Sequence, residues 1–186
     1  MKDNPQASIS YFQTAIALAP DSFYAYHNLA IAHYRVGDVE DAEPEFQKSI
    51  ELSKGSYAPS LFGISMIIYQ RAEFQQAESL IQQGLLVAPS SAVGKYCLGL
   101  AQFSLGQIPE AEYSALDAIH LDPAQADGDV YLLLARIHET LNDPNAVVAD
   151  VRTYFKLSRK RTLQADARAL LERAQQNVGQ SSTAVR

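Results

Sequence analysis

Few residues in this chain could perform chemistry, and their spacing does not complete a catalytic motif. His138-Glu139 begins like the HExxH helix of a zinc hydrolase, but Asn142 stands where the second histidine is needed. Gly63-Ile64-Ser65 begins like a nucleophile turn, but Ile67 replaces its last glycine. Glycine-rich phosphate-binding loops are also absent from the sequence. We therefore expect a protein that is not an enzyme, with no catalytic residue, no metal site and no cofactor.

Composition narrows the remaining classes of function. The single cysteine, Cys97, allows no internal disulfide and is interpreted as a packing residue. Residues 1–151 carry 7 Lys and Arg against 19 Asp and Glu, whereas residues 152–186 carry 8 against 2. An acidic body argues against nucleic-acid binding, which depends on neutralising phosphates. The sequence has no apolar run long enough to span a bilayer, and its first residues lack the apolar segment of a signal peptide, so we expect no membrane association and a cytoplasmic location.

A recurring spacing of about 34 residues organises the whole chain. Segments that end at Pro20, Lys54, Pro89 and Pro123 follow one another at steps of 34, 35 and 34 residues. Other positions recur with the same step and form columns. Three such columns are Gly37, Ala72, Gly106, Asn142; Ala42, Ala77, Ala111, Val147; and Ala15, Ser49, Gly84, Ala118, Tyr154. A period in this range is typical of stacked supersecondary units.

Each unit is predicted to be a pair of helices. In residues 23–56, Ser22 is a suitable N-cap for a first helix that the glycine at position 37 ends, and Asp38 caps a second helix that runs to about Ser53. The same pattern predicts the following organisation: half repeat 1–22 with only a second helix at 5–18; repeats 23–56, 57–91 and 92–125; divergent repeat 126–161; capping helix 162–178; disordered tail 179–186.

These columns resemble the tetratricopeptide repeat family, most clearly in residues 92–125 through Leu98-Gly99, Gly106, Ala111, Ala118 and Pro123. The resemblance covers about residues 5–161. It implies an all-α, right-handed solenoid of stacked helix-turn-helix repeats with a C-terminal capping helix. Solenoids of this kind bury a common core between neighbouring repeats and offer a long binding surface.

The resemblance also implies that the first helices line the concave side of the solenoid. Positions on that face, spaced i, i+3, i+7 and i+10, are aromatic or apolar in three repeats, and the fourth repeat presents charges. The candidate partner-binding residues are Tyr24, His27, Ile31, Tyr34, Phe62, Met66, Tyr69, Tyr96, Leu100, Phe103 and Arg136. Neighbouring first helices also touch one another, so part of this stripe belongs to the core. Of these residues, Tyr34, Tyr69 and Phe103 are expected to be exposed.

Two other groups of residues have mainly structural interpretations. His33 and His138 fill the same core-facing column, so both are expected to be structural. A basic cluster formed by Lys156, Arg159, Lys160 and Arg161 is interpreted as a solvated linker near a helix C-terminus. The carboxylate clamp of some family members would need basic and amide residues, of which only Asn28 is in place.

The sequence therefore predicts a non-catalytic scaffold that holds a protein or peptide segment in an aromatic-lined concave groove. Two alternatives remain open: an oligomerisation module, or a segment of a larger protein whose groove is filled by another part of the same chain. The half repeat at 5–18 leaves apolar residues covered on one side only. We expect this end to be extended in a longer protein, in which case a targeting segment could lie outside the given sequence, or to pair with another molecule such as a second copy.

Overall fold

A computed structural model describes residues 5–123, 128–158 and 163–183 of the chain. These residues form ten α-helices and no strand. The helices are α1 Pro5–Leu18, α2 Phe23–Val36, α3 Val39–Leu52, α4 Ala58–Gln70, α5 Phe74–Val87, α6 Ala92–Ser104, α7 Ile108–Leu121, α8 Gly128–Thr140, α9 Pro144–Leu157 and α10 Gln164–Thr183. Among the described residues, no helix combines the length and apolar character that crossing a bilayer requires.

Short polar residues begin several of these helices. The hydroxyl of Ser22 accepts the N–H of Ala25 at the start of α2, and Ser91 caps α6 in the same way. Carboxylates of Asp38 and Asp143 accept backbone N–H groups at the starts of α3 and α9. Each cap satisfies an N–H that the first turn of a helix leaves without an intrahelical partner.

The turn inside each repeat uses the left-handed backbone conformation, as the glycine-like column predicts. The φ angle is 85° at Gly37 and 76° at Gly106, and it is also positive, 61° and 58°, at Ala72 and Asn142. Glycine adopts this region without the steric cost that a Cβ atom adds. The turn geometry is therefore the same in four repeats, although two of them build it from less suitable residues.

The chain divides into two compact units, residues 1–90 and 91–186. In the first unit, α2, α3, α4 and α5 enclose a core formed by Ala30, Ala42, Phe46, Ile64, Ile67, Ile68 and Ala77. A smaller cluster of Ile9, Leu29 and Ala32, with Phe12 and Ile16 beside it, joins α1 to α2. Helix α1 therefore packs on α2 through this cluster.

In the second unit, α7 and α8 share a core of Ala111, Ala115, Ala118, Val130, Leu133, Leu134 and Ile137. Helices α8, α9 and α10 share another, formed by Leu132, Ala135, Val147, Val151, Tyr154, Ala167, Leu170 and Ala174. The apolar side of the capping helix is therefore its packing face, with Leu163 and Leu171 at its edges.

Small residues lie where two helices approach closely. Ala42, Ala77 and Ala111 are 0% exposed and Val147 is 1% exposed. A Cβ atom on Gly99 would lie only 3.2 Å from the carbonyl oxygen of Ala111, on the second helix of the same repeat. Recurrence of small residues in these columns therefore has a packing cause, because larger side chains would push the paired helices apart.

The C-terminal prediction differs from the structure. Helix α10 continues to Thr183, whereas the sequence suggested a helix ending at residue 178 and a disordered tail from 179. A glycine inside a helix costs only about 1 kcal/mol, so Gly179 alone does not end the helix. Residues 184–186, the linker at 126–127 and the basic residues 159–161 lie outside the described residues.

Candidate functional site

The first unit carries an uncharged row of aromatic and apolar side chains on α2 and α4. This aromatic row consists of Tyr24, Ile31, Tyr34, Met66 and Tyr69. Tyr24 is 55% exposed, and the other four are half-buried. The side chain of Gln70 donates to the hydroxyl of Tyr34 across 2.6 Å, which joins α4 to α2 at the surface. The side chains of the row are thus partly accessible to solvent and partly packed against the protein.

Tyr34, Tyr69 and Phe103, which were expected to be exposed, are only partly exposed in the structure. All three rings are half-buried and pack against the cores of their units. Tyr69 also contacts the ring of Phe74, with 5.2 Å between the ring centroids. Tyr24 is the most exposed residue of the row, although its ring lies 5.0 Å from that of Tyr57.

Two of the predicted binding residues face the interior. Phe62 is 4% exposed, and its ring occupies the space where a Cβ atom on Gly84 would lie. His27 is 9% exposed and contacts the rings of Phe46 and Tyr57. Both residues therefore support the row from below, and neither can be a direct contact of a partner.

The Nδ1 atom of His27 belongs to a chain of buried hydrogen bonds. The Ser49 hydroxyl donates to the carbonyl of Phe23 at 2.9 Å, so the Ser60 hydroxyl must donate to Ser49, at 2.7 Å. Consequently Nδ1 of His27 is the donor to Ser60, at 3.0 Å. Burial lowers the pKa of His27 to about 4, so the ring is neutral at physiological pH.

The proximity of this histidine to two serines does not create a nucleophile. Ser60 and Ser49 are both 0% exposed, so no substrate can reach either hydroxyl. The Nδ1 atom of His27 already carries the proton that it would need to accept from a serine. The cluster is therefore a structural link between α2, α3 and α4.

In the second unit, the predicted residues Tyr96, Leu100 and Phe103 are half-buried and border the core of α7 and α8. Phe103 also forms one end of an open groove of about 350 Å³ between α6, α8 and α10. The groove is lined by Phe103, Arg136, Glu139, Thr140, Asp166, Ala169, Leu170 and Arg173. We call it the charged groove.

Ion pairs balance the charges of this groove. Arg136 on α8 lies 3.3 Å from Asp166 on α10, and Arg173 donates to both oxygens of Glu139 at 2.7 and 3.2 Å. The sequence predicted that the fourth repeat presents charges but did not reveal their partners. The sequence contained one signal for these pairs: Arg136 and Asp166 have opposite charges 30 residues apart, and Glu139 and Arg173 have opposite charges 34 residues apart.

One column of polar residues joins the two helices within a repeat. His33 bonds Glu45 at 2.8 Å, and Ser114 donates to Gln102 at 2.7 Å. His138 is held on both sides, by Asp150 at 2.6 Å on Nδ1 and by Glu112 at 3.1 Å on Nε2. The two histidines therefore have structural roles, which is the interpretation that the sequence favoured.

The remaining candidate groups also have structural partners. His33, Asp38 and Asp41 bring ligand atoms within 4.8 Å of one another, but Asp38 is the cap that accepts the N–H of Asp41, and His33 bonds Glu45. Asn28, the clamp-like position, donates to the carbonyl of Tyr24 in its own helix. Burial raises the pKa of the Cys97 thiol to about 12, which makes it a poor nucleophile.

Comparisons with known proteins give the class of fold. Residues 11–43 match the tetratricopeptide repeat family model. TTC0263, a thermophilic tetratricopeptide repeat protein of Thermus thermophilus, is similar with a TM-score of 0.73 and 20% identity, over 91% of this chain and 90% of that chain. PilW, a type IV pilus biogenesis factor, gives a TM-score of 0.77 and 16% identity, over 97% of this chain and 81% of its own.

A chain of the APC/C hetero-tetramer Cut9–Hcn1 is similar with a TM-score of 0.80 and 20% identity, over 91% of this chain but only 33% of that chain. No curated protein sequence shows significant similarity. The helical-repeat structures and the matched segment support a tetratricopeptide repeat protein, and the fold is an all-α helical-repeat solenoid. This fold suggests a scaffold for protein–protein interaction.

Proposed function

We propose that the chain is a non-catalytic scaffold that binds a peptide or protein segment along the first helices of its repeats. The observation that carries this proposal is the aromatic row on α2 and α4. Its five residues are partly accessible and uncharged in an otherwise acidic chain. Desolvation of Tyr and Met side chains contributes strongly to binding energy at protein interfaces.

The row favours an apolar segment as ligand. Ile31, Met66 and Tyr69 offer apolar surface, and the Tyr24 and Tyr34 hydroxyls are polar groups at its rim. A flexible methionine adapts to ligand side chains of different shape. An extended or helical segment with two or three apolar residues on one side suits such a surface.

The charged groove supports binding in the second unit in a different way. Its lining includes the apolar residues Phe103 and Leu170 and the two ion pairs. A segment with an apolar residue and flanking polar groups fits this surface, because the exposed ion pairs rearrange at a cost of about 1 kcal/mol or less. The predicted residues Tyr96 and Leu100 border the core of α7 and α8.

A random peptide library displayed on phage tests the proposal even though the partner is unidentified. Selection on the intact chain should enrich peptides with apolar residues. Their affinity should fall about thirtyfold, or 2 kcal/mol, when Met66 is replaced by Glu, since the new charge would be desolvated in the complex. Circular dichroism should show an unchanged helical content for this half-exposed position.

Tyr113→Glu on α7 is the matched control, because Tyr113 is 69% exposed and is not one of the residues of the aromatic row. It should leave the affinity unchanged. If the selected peptides bind Met66→Glu as well as they bind the unaltered chain, the aromatic row is not the binding surface.

The second candidate function is an assembly module. The favouring observation is helix α1, which exposes large apolar side chains and carries no charged residue. Light scattering would support this function if the chain were a dimer whose formation blocked the selected peptides. A monomer that binds the peptides would favour the scaffold.

A further inference from the structure

Three aromatic rings meet at the N-terminal ends of α2 and α4. Phe23 and Tyr24 are the first two residues of α2, and Tyr57 directly precedes α4. The ring of Tyr57 lies 5.0 Å from that of Tyr24 at an angle of 75°, and 5.2 Å from that of Phe23 at 54°. Tyr24 is 55% exposed, and the other two side chains are half-buried. We call these three residues the aromatic corner, because the planes of Tyr24 and Tyr57 are steeply inclined to each other.

The buried hydrogen bonds of the first unit hold the aromatic corner in place. Ser49 of α3 donates to the carbonyl of Phe23, and Ser60 of α4 links Ser49 to His27. The ring of His27 contacts that of Tyr57 almost at right angles, with 5.1 Å between the centroids. Rings that are fixed before a ligand arrives reduce the entropy that binding costs.

The charge of the first unit favours a cation as the ligand of the aromatic corner. Residues 5–90 carry nine Asp and Glu against four Lys and Arg. The N-terminus of α2 carries a partial positive charge, but the exposed Asp21, which precedes the Ser22 cap, offsets it. Burial keeps His27 neutral, with a pKa of about 4, so this ring does not repel a cation.

We propose that the aromatic corner binds a cationic side chain, Lys or Arg, of the partner segment. The face of an aromatic ring carries partial negative charge and attracts a cation that lies within about 6 Å of the ring centroid. Because the centroids of Tyr24 and Tyr57 are 5.0 Å apart, one cation reaches this distance from both rings. The flat guanidinium of Arg also stacks on such a face.

This inference deepens the proposed function and rests on it for the nature of the partner. It adds a basic residue to the segment, beside the apolar residues that contact the aromatic row. Tyr24 belongs to both the row and the corner, so one segment can contact both.

Two small probes test the cation site without a peptide. N-acetyl-arginine amide carries the guanidinium, and N-acetyl-citrulline amide has the same shape without the charge. Each is titrated into the full chain while the NMR signals of the Tyr24 and Tyr57 rings are followed. The arginine probe should bind with a Kd of roughly 1–10 mM, as expected for so small a ligand. The citrulline probe should bind at least about fivefold more weakly.

Variants of the chain locate the binding. Tyr24→Leu removes one ring and keeps an apolar side chain, so it should weaken the arginine probe about fivefold or more, as read from the Tyr57 signals. Tyr57→Leu is the second variant and is read from the Tyr24 signals. Tyr113→Leu is the matched control, since Tyr113 is 69% exposed and is not part of the aromatic corner. Circular dichroism should show the same helical content for all three.

Three results would overturn the proposal. The first is equal binding of the arginine and citrulline probes. The second is arginine binding that both Tyr24→Leu and Tyr57→Leu leave unchanged, because the general negative charge would then hold the probe. The third is no change in the ring signals at about 50 mM probe. All three leave the scaffold function standing, since the Met66→Glu test on selected peptides does not use these probes.

Discussion

His27 and His138 are both largely buried, but their surroundings move their pKa values in opposite directions. Around His27 there are serine hydroxyls and aromatic rings, so burial lowers the pKa to about 4. Burial also disfavours the charged form of His138, but hydrogen bonds to Asp150 and Glu112 outweigh it and raise the pKa. The direction in which the pKa of a buried histidine moves therefore depends on the charge of its neighbours.

The His138 pairing predicts a pH-dependent stability. Because the folded-state pKa is raised, the stabilisation is complete below the unfolded pKa of about 6.5 and is lost as pH rises through the folded value. The His138→Gln variant should lack this decline. Urea denaturation between pH 6 and about 9 should therefore show a smaller loss of unfolding free energy for the variant than for the unaltered chain.

His120→Gln serves as the control, since His120 is exposed on α7. It should keep the pH dependence of the unaltered chain. An identical slope in His138→Gln would mean that the pairing of His138 with the two carboxylates does not govern the pH response.

At the scale of the helix pair, the left-handed turn is the most constrained feature. Ala72 has a φ of 61°, where an L side chain is strained, and its three counterparts are two glycines and an asparagine. Asparagine tolerates this region better than alanine because its side chain bonds the local backbone. The second repeat therefore has the least favourable turn residue.

Replacement of Ala72 by Gly should stabilise the chain by roughly 0.5–1 kcal/mol, because it removes the strain at a cost in unfolded-state entropy. The midpoint of urea unfolding should rise. Ala149→Gly on the exposed side of α9 is the opposite case and should destabilise by about 1 kcal/mol. A lower midpoint for Ala72→Gly would contradict the role of the turn.

At the scale of the molecule, α10 covers the last complete repeat. Ala167, Leu170 and Ala174 are at most 4% exposed against the core of α8 and α9. Terminal repeats of a solenoid need a helix that is apolar on one side and polar on the other. A chain ending at residue 158 should expose Tyr154 and Val151, bind an apolar dye and lose amide protection in α9.

A chain ending at residue 178 is the control for this truncation. It keeps Ala167, Leu170 and Ala174 and should retain the protection of α9. If the shorter chain retains it too, the packing of α10 contributes little to the last repeat.

Local signals made much of the fold predictable. The first and last residues of α2 agree with the sequence pattern, because Ser22 and Gly37 lie directly beside the two ends of this helix. The repeat boundaries themselves remain predictions. Helix α10 extends beyond its predicted end at residue 178, because Gly179 alone is a weak helix breaker.

The site was less predictable, for a geometric reason. Spacing placed His27 and Phe62 on the same face as Tyr24 and Tyr34, but packing between neighbouring helices buries one edge of that face. Periodicity gives the direction of a side chain but not the position of the next helix. The ion partners of Arg136 and Glu139 lie on α10, and their pairing depends on the distance between helices.

The polar column within the repeats has a consequence for the folding pathway. All four helix pairs share the same small contact residues, so a first helix could pack transiently on the second helix of a different repeat. The pairs His33–Glu45, Ile68–Leu80, Gln102–Ser114 and His138–Asp150 differ in chemistry. An exchange would place His33 against Leu80, or Ile68 against Glu45, and bury a polar group without a partner. The chemistry of these pairs therefore favours the association of each first helix with its own second helix.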